Sequence, residues 1–220
     1  MNKLEVPDCF IYQFQIDQKI VSSALEKFLS LKEYWHEIRN FNGVLRDPVS
    51  IVYLEKEKKL FSFYDTLFYD EIYKCLNEVC SLHFVNQKLS IVDSWWTITK
   101  KGQQSIIHDH ANSLFSGVVY FENSNTNIEF IMEDAFAKTW SKLFKPESSL
   151  KKIFNKITVK PTHGKILIWP SDIPHQICLH QEENIRYSFA FNTWLDGEIS
   201  VTPAGLQKVN IATNYFHPNE

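Results

Sequence analysis

Residues 103–121 constrain this chain more than any other stretch. They read Gln103-Gln104-Ser105-Ile106-Ile107-His108-Asp109-His110-Ala111-Asn112-Ser113-Leu114-Phe115-Ser116-Gly117-Val118-Val119-Tyr120-Phe121. Two histidines two positions apart precede a turn and then a strand-like run. In extended backbone the side chains alternate faces, so positions i and i+2 point the same way. His108 and His110 are therefore expected to present two imidazoles to one point, with Asp109 facing away. That geometry suits a metal ion, which needs a third ligand from elsewhere in the chain.

His175 is the candidate for the third ligand. It follows the turn Trp169-Pro170-Ser171-Asp172-Ile173-Pro174 and opens a strand; Arg186, eleven residues on, opens the next, with Ser188 on the same face. Two adjacent antiparallel strands are expected to set His175 beside the first pair and Arg186 deeper in the same barrel. A guanidinium matches a carboxylate because its planar fork donates two parallel hydrogen bonds, and the Ser188 hydroxyl adds a donor. Arg186 could instead form an exposed ion pair with Glu182 or Glu183, of little energetic weight. Its place before Phe189-Ala190-Phe191 favours the inward role. Tyr120 and Asn192 are candidates to hydrogen-bond a cosubstrate, against a buried tyrosine that satisfies its own hydroxyl. Asp93 and Glu129 are candidates to support the ligands from behind, and Trp95, Trp96 and Trp169 to form core or pocket wall. His36, His83, His163, His180 and His217 are read as background.

The surrounding texture is that of a β protein. Leu89–Thr99, Ser116–Phe121, Asn127–Met132, Ile157–Lys160, Lys165–Trp169, His175–Leu179 and Arg186–Trp194 are short, rich in β-branched and aromatic residues, and separated by turn signals. Such spacing with few intervening helices predicts an antiparallel sandwich or barrel. Before it, residues 10–16 read as a strand and Asp17 as a helix cap. Ile20, Val21, Ala24, Leu25, Phe28 and Leu29 read as one helix at 3.6-residue spacing, and Thr66–Leu82 as another. A short helical piece is expected through Tyr34, Trp35 and Ile38, a strand at Ser50–Leu54, and a solvated turn at Glu55–Lys59. Asp134–Asn155 interrupts the strands as an insertion, helical or lid-like, and the tail after Thr202 shows little pattern. The expected organisation is one domain over residues 1–220, with a mixed layer at 1–88 and the catalytic core at 89–200.

Composition narrows the partners. A net charge of −3 makes no electrostatic case for nucleic acid or an anionic membrane. The polar stretch Met1–Asp8 does not read as a signal sequence, and no apolar run approaches a membrane span. Cys9, Cys75, Cys80 and Cys178 form no C-x-x-C pair and read as free thiols in a reducing cytoplasm.

Taken together, these segments resemble the Fe(II)/2-oxoglutarate-dependent oxygenase superfamily, in its bacterial and phage-type branch with an HxH…H motif. The resemblance rests on His108-x-His110 followed by Ser116–Phe121, on Pro161-x-x-Gly164-Lys165-Ile166-Leu167-Ile168-Trp169-Pro170, and on His175 and Arg186–Asn192. It implies a mainly β fold with flanking α elements, built on a double-stranded β-helix (jelly-roll, cupin-like) core with N-terminal helices. It also implies Fe(II) held by His108, His110 and His175, and 2-oxoglutarate held by Arg186 with Ser188. O2 and a small-molecule or peptide substrate complete the reaction. The superfamily at large carries Asp or Glu where His110 stands, and an all-neutral ligand set leaves the iron more positive; Asp109 is the alternative ligand if the strand twists. The segment after Met132 departs from the family pattern. Two further readings stay open: a cupin-like three-histidine dioxygenase that does not use 2-oxoglutarate, and a non-catalytic jelly-roll binding module.

Overall fold

The computed structural model describes residues 2–6, 9–38, 49–56, 59–61, 63, 65–83, 87–133, 154–200 and 208–211. The 134–155 insertion, apart from its last two residues, lies outside the described residues, as does His217. In chain order the elements are β1 (Asn2–Val6), β2 (Cys9–Gln15), α1 (Gln18–Ser30), β3 (Trp35–Ile38), β4 (Ser50–Lys56), β5 (Lys59–Phe61) and α2 (Thr66–His83). Then follow β6 (Lys88–Thr99), β7 (Phe115–Tyr120), β8 (Ile128–Glu133), β9 (Phe154–Val159), β10 (Lys165–Pro170), β11 (His175–Ile177), β12 (Arg186–Ser200) and β13 (Lys208–Ile211).

Two antiparallel sheets face one another. The larger runs β1-β2-β10-β7-β12-β6-β4-β3, and the smaller runs β11-β8-β9. His108 extends the smaller sheet, exchanging both backbone hydrogen bonds with His175 at 3.0 and 2.9 Å. From β6 onward the chain passes back and forth between the sheets, with β8 and β9 forming one hairpin in the smaller. β6, β7, β10 and β12 lie in the large sheet, and the His108 segment, β8, β9 and β11 in the small one. Eight antiparallel segments wound in this order form a jelly roll. The N-terminal layer is stitched to it directly, because β2 pairs with β10 and β4 with β6.

The period-2 alternation of the large sheet sends its residues to two different environments. Trp96, Ile98, Val119, Phe121, Ile166, Ile168, Phe189 and Phe191 pack in one cluster with the buried faces of α1 and α2. Asp17 caps α1, accepting from the Lys19 amide at 2.7 Å. Its Phe28 ring is stacked between Trp35, at 4.6 Å, and Trp96, at 3.9 Å. On the opposite face Val118, Tyr120, Leu167 and Trp169 join Ile128, Phe130 and Val159 of the small sheet. Gly117 makes that layering possible. A Cβ there would stand 2.2 Å from the Phe191 ring on the neighbouring strand, so only the bare backbone fits.

Several expectations change. Trp35–Ile38 is a strand paired with β4, not helix, and only Lys32–Tyr34 forms a 3-10 turn. The charged run from Glu55 does not form a simple turn, since Glu55 and Lys56 belong to β4 and pair with Leu60 and Lys59 of β5. Leu67, read as part of the apolar face of α2, is 64% exposed. β11 and β12 are not neighbours: β11 pairs with β8, and β12 with β6 and β7. His175 and Arg186 therefore reach the same interior from opposite sheets. Among the described residues, no helix is long and apolar enough to cross a membrane.

Candidate metal and carboxylate site

Along β6 and β12 the inner face of the large sheet is polar where a core would be apolar. Register sets Thr99 beside Arg186, Thr97 beside Ser188 and Trp95 beside Ala190. On the other side of β12, Ser188 faces Tyr120 and Asn192 faces Ser116. Thr97, Thr99, Ser116, Arg186 and Ser188 are all buried.

The small sheet faces this strip with three histidines. His108, His110 and His175 each offer a ring nitrogen, and the three nitrogens lie within 4.8 Å of one another. Asp109 is exposed and outside the cluster, as the i, i+2 argument expects. His108 Nδ1 lies 2.9 Å from the Ile106 carbonyl oxygen, and His175 Nδ1 lies 3.0 Å from that of Ile173. A carbonyl only accepts, so Nδ1 of each ring is the donor, and Nε2 is the nitrogen left to ligate. His110 Nδ1 lies 2.7 Å from Asn192 Oδ1, and its buried Nε2 has no hydrogen-bond partner among the described residues. The remaining faces are walled by aromatics. Trp95 stacks on His110 at 5.5 Å, and Trp169 meets His175 edge-on at 4.9 Å. Burial, followed by the neighbouring His108, lowers the His110 pKa to about 4 and that of His175 to about 3. Both rings are thus neutral at ordinary pH, the form that ligates metal.

Arg186 is 1% exposed. Its guanidinium lies over the Tyr120 ring at 5.1 Å and reaches Thr99 Oγ1 at 3.4 Å, while Nε has no partner. Among the described residues it forms no ion pair. Glu182 instead takes hydrogen bonds from Ser124 and Asn125, and Glu183 pairs with Lys101, so the surface-pair alternative does not hold. Glu122 is the closest carboxylate influence, and burial pushes its pKa up to about 7 against the opposing pull of the Tyr187 amide and Arg186. Near neutral pH it is only partly ionised and cannot fully neutralise the guanidinium. Among the described residues the buried Tyr120 hydroxyl has no partner in hydrogen-bond geometry, and burial raises its pKa to about 12 although Arg186 draws it down. A buried cation and hydroxyl left this way have the chemistry to receive a carboxylate.

The structure therefore gathers His108, His110 and His175 at one point, and Arg186, Ser188 and Tyr120 in one stretch of the adjoining strip. Asn192 lies against His110, not beside Arg186. Glu129 pairs with Lys156 and Gln176, away from the histidines. His36 pairs with Glu55, and His180 is held by Thr126 and the Asn184 carbonyl, in keeping with background roles. The sequence reading missed Thr97, Thr99, Ser116, Ser171 and Glu122. The alternation Asp93-x-Trp95-x-Thr97-x-Thr99 carried a signal for the two threonines, because a polar face opposite a core face is unusual for a strand buried on both sides.

Comparison with known proteins agrees with this geometry. Residues 93–192 match the sequence profile of a family described as "Putative 2OG-Fe(II) oxygenase". No curated protein sequence matches the chain. Similar solved structures include an oxidoreductase of the 2OG-Fe(II) oxygenase family from Burkholderia pseudomallei (TM-score 0.52, 10% identity, covering 83% of this chain and 84% of that one). A prolyl hydroxylase in complex with a hypoxia inducible factor peptide, from Trichoplax adhaerens, is similar at TM-score 0.55 and 10% identity, covering 84% and 83%. The epimerase SnoN, in complex with Fe3+, alpha ketoglutarate and nogalamycin RO, is similar at TM-score 0.58 and 10% identity, covering 93% and 82%. At these identities the structures speak for the fold alone. Over residues 93–192, the stretch that holds all three histidines, the chain is similar to the 2OG-Fe(II) oxygenase family.

Proposed function

We propose that the chain uses Fe(II) and 2-oxoglutarate to oxidise a C–H bond, in the manner of a hydroxylase, in a small-molecule or peptide substrate. One observation carries the reading: three ring nitrogens converge in the same interior that buries a guanidinium with no ion-pair partner among the described residues. The donor set fits the metal, since three imidazoles with their Nδ1 atoms engaged leave three Nε2 atoms free to ligate, and the cluster's ring nitrogens lie within 4.8 Å of one another. Iron bound there supplies oxygen activation, with 2-oxoglutarate as the co-reductant. His108, His110 and His175 hold the metal on one face. Arg186 and Ser188, helped by the Tyr120 hydroxyl, fix the distal carboxylate. Trp95, Trp169 and Phe130 wall the histidines and limit the approach of water. Residues 1–220 act as one unit, a reading supported by the pairing of β2 and β4 onto the core sheet. Free Cys75, Cys80 and Cys178 support work in a reducing cytoplasm.

Among the described residues no carboxylate joins the histidine cluster, which favours one second reading, a cupin-like dioxygenase in which Arg186 holds the substrate's own carboxylate. Oxygen uptake separates the two. Fe(II)-loaded protein is expected to consume O2 only when 2-oxoglutarate is present, with succinate formed in step. Uptake with a small thiol and without 2-oxoglutarate would instead establish the cupin-like reading.

A further inference from the structure

His110 is the one histidine of the three whose Nδ1 is held by a side chain. For His108 and His175 the acceptor is a backbone carbonyl two residues back. Behind Asn192 stands a chain of buried or half-buried hydroxyls. The Thr193 amide donates to Ser113 Oγ at 3.3 Å. Ser113 Oγ lies 2.7 Å from Ser171 Oγ, Ser171 Oγ lies 2.8 Å from Ser116 Oγ, and Ser116 Oγ lies 2.8 Å from Asn192 Oδ1. An amide N–H only donates, and each hydroxyl has one proton to pass on. The Ser113 hydroxyl also reaches the Phe115 and Thr193 carbonyls, at 3.1 and 3.3 Å, but the shorter contacts are satisfied together when every hydroxyl donates in the same direction, from Ser113 to Ser171 to Ser116 to Asn192. Asn192 Oδ1 then accepts twice, from Ser116 and from His110 Nδ1–H.

We propose that Asn192 is a positioning residue: at the end of this one-way hydroxyl chain it fixes the Nδ1–H form of His110 and so presents Nε2 as a lone pair to the metal site. A histidine side chain in water prefers its proton on Nε2. In this pocket that form would bury an N–H with no acceptor and leave the metal site one donor short. The role rests on the reading of His110 as a metal ligand. It assigns Asn192 to the metal side of the pocket, not to the cosubstrate.

Long-range 15N–1H spectra of the metal-free protein report the tautomer of each histidine, and titration with Co(II) alone reports the strength of the site. The wild type and Asn192→Asp, which keeps the acceptor, are expected to show His110 protonated on Nδ1. Asn192→Leu is expected to move His110 toward the Nε2–H form and to weaken Co(II) binding about 10- to 100-fold, as loss of a hydrogen bond behind a ligand does elsewhere. His108 and His175 should keep their tautomers in every variant, which verifies that the fold is intact. Ser116→Ala, a smaller change, is expected to shift His110 partway in the same direction. A wild-type His110 protonated on Nε2 would overturn the proposal, as would Asn192→Leu with unchanged tautomer and Co(II) affinity. A wild type that holds the Nδ1–H form but binds no Co(II) would overturn the metal reading beneath it, and the role with it.

Discussion

Arg186→Met is expected to abolish useful binding of 2-oxoglutarate while leaving the metal in place and the fold at least as stable. The two effects have one cause. Arg186 is buried, and its only direct hydrogen bond among the described residues is a long one to Thr99. Removing one partner of a buried, hydrogen-bonded charge pair costs about 2–5 kcal/mol of binding. At about 1.4 kcal/mol per tenfold, that is a dissociation constant roughly 30- to 4,000-fold weaker. In the free protein the same guanidinium carries a desolvation penalty that nothing fully offsets. Its replacement by an apolar side chain of similar length should therefore be neutral or stabilising. Calorimetric titration with 2-oxoglutarate and thermal unfolding of the metal-free protein check the two halves. A large loss of stability with unchanged cosubstrate affinity would make Arg186 a structural partner of Glu122 instead.

His175→Ala is expected to remove stoichiometric metal binding. His175 is 5% exposed, its backbone is locked to His108, and its Nδ1 is committed to the Ile173 carbonyl, so no flexible neighbour can replace its Nε2. Loss of a direct ligand should exceed the cost of losing a partner behind one, so the affinity should fall by more than about 100-fold. His108→Ala and His110→Ala should behave alike. His180→Ala, also buried but bound to Thr126 and Asn184, should destabilise the fold without changing the metal content of the protein that remains folded. Metal analysis of the purified variants distinguishes these outcomes.

Much of the site was legible because its geometry is local. The i, i+2 spacing alone aims His108 and His110 together and sends Asp109 out to solvent, and the structure has that arrangement. Arg186, Ser188 and Asn192 also share a face by alternation, and all three point inward. The partner of each was less legible. Arg186 and Asn192 are six positions apart on β12, or about 20 Å along a strand. Shared facing therefore did not mean a shared ligand, and Asn192 meets His110 across the sandwich.

The pairing of β11 with β8 was hidden for a related reason. A strand, a loop and a strand read the same whether the chain turns back in one sheet or crosses to the opposite one. Only the packing of two facing layers decides between them. Trp35–Ile38 shows local pattern losing to tertiary context: a few aromatic and aliphatic residues resemble a helix face, but β4 offers an unpaired edge and Phe28 a stacking partner. The polar inner face at Thr97 and Thr99 needed the register with β12 to acquire a meaning.

The most direct test of the central claim is anaerobic titration of the Fe(II)-loaded protein with 2-oxoglutarate, followed by visible absorption. A weak band that grows to saturation at one equivalent, weakens in Arg186→Met and is lost in His110→Ala is the predicted result. It would tie the three histidines and the buried arginine to one cosubstrate. Iron bound by the wild type with no band at any 2-oxoglutarate concentration would contradict that assignment.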